Sequence, residues 1–137
     1  MTLAAIRTYC LSLPGTDEDM PFGPDALVLR VVGKAFCLMG TSPTENSMNL
    51  KCDPERALEL RAAHPEITPG YHMNKKHWNT VRIDGALSDP MLQELIRHSY
   101  DCVVAKLTRQ ERQTLQALTQ TVSGTSAATQ AEATGSF

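Results

Sequence analysis

The chain has 137 residues, of which 42% are hydrophobic and 20% charged, with a formal net charge of −2 and a pI of about 6.1. That length fits one domain able to bury a core without disulfides or metal, and no apolar run is long enough to span a bilayer. The acidic balance argues against the strongly basic type of nucleic-acid domain, although binding follows local potential rather than the total.

Leu3, Ile6, Cys10 and Leu13 recur at helical spacing, so a first helix is predicted over 3–13, closed by Pro14–Gly15. This N-terminus contains Arg7 and lacks the charged-then-apolar layout of a secretion signal, which predicts a cytoplasmic protein. Residues 16–25, TDEDMPFGPD, read as an acidic loop. ALVLRVV over 26–32 reads as a strand, Gly33–Lys34 as a two-residue turn with glycine first, and AFCLMG over 35–40 as the return strand. TSPTEN is a loop or a longer hairpin connection. SMNLK over 47–51 alternates Met48 and Leu50 against Asn49 and Lys51, the pattern of a half-buried strand.

Asp53–Pro54–Glu55 is a helix start, with an acid at the N-cap and proline at the first position; that helix is predicted to stop before His64–Pro65. WNTVRIDG reads as a strand with Val81 and Ile83 inward and Thr80 and Arg82 outward. Ser88–Asp89–Pro90 opens the next helix. Its predicted buried side is Leu92, Leu95, Ile96, Ser99 and Val103; Glu94, Arg97, His98 and Asp101 are expected to face water. Thr108 and Glu111 have capping-box spacing before a short helix over 109–118. Residues 119–137 hold one charged side chain, Glu132, and little to bury, so they are expected to be a disordered tail on a single domain spanning 1–118. The order predicts an α+β meander with helices packed on one face of a sheet.

Chemistry is scarce in this sequence. There is no P-loop, G-x-G-x-x-G or G-x-S-x-G pattern. His72 and His77 are five apart, outside the spacing of common zinc motifs, so structural histidines are expected rather than metal ligands. Cys10, Cys37, Cys52 and Cys102 form no C-x-x-C pair and are expected as small core residues. Cys52 precedes a helix start, where a thiolate would gain, but Asp53 beside it opposes that charge. The acids at Asp17, Glu18 and Asp19 could hold a cation, yet such loops are usually just solvated. No cofactor is expected, and no catalytic residue.

The stretch PGYHMNKKHWNTV, 69–81, gathers the protein's single tryptophan, two histidines, two asparagines and the Lys75–Lys76 pair. Two readings stand side by side. Either the lysines, with Arg82, meet phosphate oxygens while Asn74, Asn79, Tyr71, His77 and Trp78 add polar or stacking contacts, or Tyr71 and Trp78 are packing anchors of an irregular connection.

GYHMNKKHWNTV, the Asp84–Gly85 turn and LIRHSYDCVVAKL together closely resemble the MmcQ/YjbR family of small bacterial proteins. The opening CLSLPGTDEDMPFGPDALVLRVVGKAFCLM and the junction MNLKCDPE resemble it too, and the likeness covers about residues 1–115. The resemblance implies a CyaY-like (frataxin-like) α+β fold with an antiparallel sheet, and a double-wing, double-stranded-DNA-binding function without catalysis. The wing at Gly33–Lys34 and the segment Tyr71 to Asn79 would then be the contact elements. The full expected contact set is Lys34, Lys51, Tyr71, Asn74, Lys75, Lys76, His77, Asn79 and Arg82. The competing expectation is a non-catalytic module for a protein partner or small molecule, and an enzyme or metal protein ranks behind both.

Overall fold

In the computed structural model, residues 1–40, 46–70 and 74–128 are described, with 120–128 as backbone only. Six strands form one antiparallel sheet: β1 (Thr16–Asp19), β2 (Ala26–Val31), β3 (Lys34–Gly40), β4 (Ser47–Lys51), β5 (Ile67–Pro69) and β6 (Trp78–Arg82). Their order is β1-β2-β3-β4-β6-β5, so β6 sits between β4 and β5. The helices are α1 (Leu3–Ser12), α2 (Pro54–Ala63), α3 (Asp89–Ala105) and α4 (Arg109–Ala128). The α+β class holds. The core lies between the sheet and α1 and α3, where Ile6, Leu29, Phe36, Met48, Leu92 and Ile96 are fully or almost fully buried. No helix of the described residues is long and apolar enough to cross a membrane.

Local chemistry sets the helix boundaries where the sequence predicts them. Asp53 accepts from the Arg56 amide, with Pro54 at the first position, and His64 caps the other end of α2. Ser88 accepts from the Met91 amide at the start of α3. The Thr108–Glu111 capping box is reciprocal: the Thr108 amide donates to Glu111 Oε1 at 2.9 Å and the Glu111 amide to Thr108 Oγ1 at 3.1 Å. These bonds satisfy amide donors that the first helical turn cannot satisfy itself. α4 is longer than expected. It continues to Ala128, through part of the stretch read as a tail, and 129–137 lie outside the described residues.

Two predictions about the strands are corrected and one strand is added. The acidic run at 16–19 is the edge strand β1, not loop, because Arg30 on β2 faces it. Its guanidinium meets Asp17 at 2.9 Å and Asp19 at 3.2 Å, turning an unfavourable acidic run into a cross-strand charge pairing. Ile67–Pro69 adds a second edge strand, β5. The β2–β3 turn is Val32–Gly33 rather than Gly33–Lys34. Val31 pairs Lys34, and Val32 and Gly33 carry φ of 47° and 77°, the two left-handed residues of a hairpin matched to strand twist.

β3 also contains a bulge. Leu29 pairs Cys37 and Arg30 pairs Ala35, so Phe36 is the extra residue. The Phe36 ring meets Tyr100 edge-on, with centroids 5.6 Å apart. Ser99 Oγ donates to the Phe36 carbonyl at 2.5 Å and accepts from the Lys51 amide at 2.8 Å. A helix hydroxyl thereby bridges a β3 carbonyl and a β4 amide just beyond the Cys37–Leu50 pair of the β3–β4 ladder.

Candidate nucleic-acid interface

The register assigns each expected cation to an end of the sheet. Lys51 pairs Trp78, whereas Ser47 pairs Arg82. Cys37 pairs Leu50, so the Lys34 end of β3 lies at the Lys51 end of β4. Lys34, Lys51 and the segment entering β6 therefore share one end. Arg82 is four residues along β6, roughly 13 Å away at 3.3 Å per residue.

Two expected contact cations are already paired. Lys34 Nζ lies 3.6 Å from Glu111, and Arg82 meets Asp84 through two nitrogens at 3.1 Å. The Arg82 guanidinium holds the Asp84 carboxyl below its ordinary pKa. Asn79 is also corrected. It is 2% exposed, and its Oδ1 accepts from Arg61 Nε at 2.7 Å, so it points into the protein rather than toward a ligand. Thus Lys34, Arg82 and Asn79 leave the set of free contacts, and Tyr71 and His72 lie outside the described residues.

Lys51, Lys75 and Lys76 remain. Among the described residues none of the three pairs with a carboxylate. Lys51 Nζ sits 5.9 Å from the centre of the half-buried Trp78 ring, so the tryptophan packs and supports a cation at once. Lys75 and Lys76 are exposed on a tight turn. Asn74 Oδ1 accepts from the Lys76 amide at 3.0 Å, and the Asn74 carbonyl accepts from the His77 and Trp78 amides. Asn74 therefore shapes the turn. The His77 carbonyl accepts from the Cys52 amide at 2.8 Å, joining the turn to the end of β4. Gly70 sits where a Cβ would come within 2.8 Å of Trp78 Cβ, so glycine permits the close approach of the chain leaving β5 to the start of β6.

Sequence reasoning missed Arg61. From the last turn of α2 its guanidinium donates to Asn79 Oδ1, to the Lys75 carbonyl and, at 3.3 Å, to the Trp78 carbonyl. Nothing local signals this, because the partners lie 14 to 18 residues away.

His98 is half-buried rather than on the wet face: its Nε2 accepts from the Asp53 amide at 3.2 Å and lies 3.5 Å from Cys102 Sγ. Burial lowers its pKa. With Ser99, and with Tyr100 donating to the Pro14 carbonyl at 2.6 Å, it makes the HSYD run an anchor of backbone at four sites, Pro14, Phe36, Lys51 and Asp53. Cys52 is buried and burial pushes its thiol up to about 11, the behaviour of a core cysteine rather than a nucleophile. Cys102 departs from expectation in being partly exposed. Among the described residues no group of three or more His, Cys, Asp or Glu side chains is placed to hold a metal ion.

The YjbR family model matches residues 11–102. Uncharacterized protein YjbR of Escherichia coli K12 is 31% identical over 115 residues, spanning 84% of this chain and 98% of that protein. Uncharacterized protein YbdF of Escherichia coli O157:H7 is 37% identical over 106 residues, covering 77% and 87%. The crystal structure of Deinococcus radiodurans protein DR2400, described as a DUF419 domain, is similar with a TM-score of 0.75 and 43% identity over 84% of this chain and 88% of that one. A Pseudomonas syringae protein solved by crystallography is similar with a TM-score of 0.65 and 29% identity, over 74% and 98%.

Proposed function

The chain belongs to the YjbR family, and from its own geometry we propose a non-catalytic, cytoplasmic module that grips the phosphate backbone of double-stranded DNA. The observation that carries this reading is the convergence of Lys51, Lys75 and Lys76 at one end of the sheet, free of carboxylates among the described residues. A duplex offers a row of phosphates to such a cluster, and lysine meets them as a mobile point charge.

The CyaY-like, double-wing form of the fold belongs to the same proposal. The β2–β3 pair and the β5–β6 pair are each joined at the same end of the sheet. Three strand spacings separate their midlines, about 14 Å, close to the width of a major groove. One wing would carry Lys75 and Lys76. The other, tipped by Val32–Gly33, would act mainly by shape, since Lys34 is engaged by Glu111.

Three neutralised phosphates predict a log–log salt slope of about −2.7, or roughly a fortyfold loss of affinity over a fourfold rise in salt. Lys75→Ala with Lys76→Ala should flatten that slope to about −0.9, read by fluorescence anisotropy of a labelled duplex. Unchanged affinity in the folded double variant removes the turn from the mechanism.

One feature favours the second reading, a partner or small-molecule module. An open, largely apolar groove of about 470 Å³ lies between α1 and the far ends of β2 and β3, floored by Leu27 and Met39. Met20, which lines it, is 47% exposed, and Phe22, two residues further along the chain, is 76% exposed. It sits at the other end of the sheet from the lysines, so a chain that ignores duplex DNA at low salt directs attention there.

A further inference from the structure

We propose that Arg61 is the positioning residue of the basic turn: it holds Lys75 and Lys76 in their presented geometry without itself meeting the ligand. The inference rests on the DNA reading for its functional consequence, but its structural half stands on the bonds alone.

One planar guanidinium reaches three acceptors on a single segment. Nε donates to Asn79 Oδ1 at 2.7 Å, and Nη2 donates to the Lys75 carbonyl and to the Trp78 carbonyl. The acceptors bracket the turn, one inside it, one at its exit and one on the buried face of β6. Asn79, 2% exposed, needs a donor there, because a buried amide oxygen without one is costly. Lysine could not substitute. Its ammonium lacks the rigid fork and cannot meet acceptors spread along one plane. The guanidinium is also directed at backbone rather than at solvent. Other ties of the turn, from the Lys76 amide to Asn74 Oδ1, from the His77 and Trp78 amides to the Asn74 carbonyl and from the Cys52 amide to the His77 carbonyl, order its interior and its junction with β4. Arg61 adds a link from α2, so the lysine pair is held by a helix as well as by the sheet.

In Arg61→Lys the amides of His77 and Trp78, both bonded to the Asn74 carbonyl, exchange with solvent faster than in the parent chain, while core amides of β2 and β3 do not change. For binding, Arg61→Lys keeps the charge but loses affinity for the duplex by about tenfold, the scale of re-ordering a freed turn on association. In a chain already carrying Lys75→Ala and Lys76→Ala, adding Arg61→Lys costs less than about twofold, because nothing is left for the guanidinium to present. Arg61→Gln, checked folded by circular dichroism, repeats the test with a shorter planar group.

The outcomes separate. If the lysine double variant binds DNA like the parent, the DNA reading fails, while the exchange experiment still decides the positioning role. If that double variant weakens binding but Arg61→Lys does not, the positioning inference is overturned and the DNA reading survives. If Arg61→Lys weakens binding equally in both backgrounds, Arg61 acts by another route and the inference is likewise overturned.

Discussion

Ser99→Ala tests the bond that joins the family-like HSYD run to the sheet. In the parent chain the hydroxyl accepts from the Lys51 amide and donates to the Phe36 carbonyl, both with good length, at a residue of zero exposure. Alanine leaves both backbone groups without that partner. Phe36 is itself fully buried, so its carbonyl loses its bond with no water at hand; each such group costs about 1–3 kcal/mol. The Lys51 amide belongs to a half-buried residue and falls at the lower end of that range. Against this, alanine gains about 0.5 kcal/mol in helix propensity at mid-helix. The net loss should be about 2–3 kcal/mol, a large share of the total for a small domain. At roughly 4 °C per kcal/mol for this size, the melting temperature falls by about 8–12 °C. Urea denaturation followed by far-ultraviolet circular dichroism measures the energy, and amide exchange at Lys51 reports the mechanism. A loss below about 0.5 kcal/mol with the Lys51 amide still protected refutes the reasoning, since the strands would then have closed the ladder by themselves.

Val32→Asn should stabilise the chain by about 1 kcal/mol, because a β-branched residue at φ 47° is strained where asparagine is tolerated; a lower urea midpoint would mean that the packing of Val32 on the core outweighs the strain. His98 predicts acid sensitivity. Its pKa is lowered by burial, so above the ordinary value near 6.5 the group is neutral in both states; below it the unfolded chain takes up the proton first and stability falls as pH drops. Denaturation of the parent and of His98→Gln across about pH 7.5 to 5.5 should diverge toward the acid end, and parallel curves contradict the assignment.

What could be read from the sequence was local. Asp53–Pro54, Ser88 and the Thr108–Glu111 box are short-range chemistry with one good structural answer each, and they set the starts of α2, α3 and α4. The buried stripe of α3 was legible for the same reason, Ser99 included, although the bonds of Ser99 to Phe36 and Lys51 were not. The acidic strand β1 was not legible, because its pairing depends on Arg30, more than ten residues away. The one-residue error in the hairpin came from giving Gly33 the first turn position when Val32 accepts that strain. Of the contact set, the Arg82–Asp84 pairing had a readable cue in their i, i+2 spacing on one face. The Lys34–Glu111 pair and the Arg61 fork had none.

The same end of the sheet carries both the cations of the proposed interface and most of the anchoring bonds of α2 and α3. Ser99 holds the Lys51 amide, His98 holds the Asp53 amide, and Arg61 holds the turn that carries Lys75 and Lys76. All of these anchors either end on backbone or, for Asn79, on a buried side chain, whereas the lysine ammonium groups take no part in them. Stability and contact are therefore separable here. Exchanging Lys75 or Lys76 removes charge while leaving every anchor intact, whereas exchanging Ser99 loosens the scaffold while leaving every charge in place. On the proposed reading, exchanges at Lys75 or Lys76 would alter affinity for the duplex without risking the fold, because the scaffold bonds are addressed to main chain and to Asn79, and the exposed surface is left to lysine.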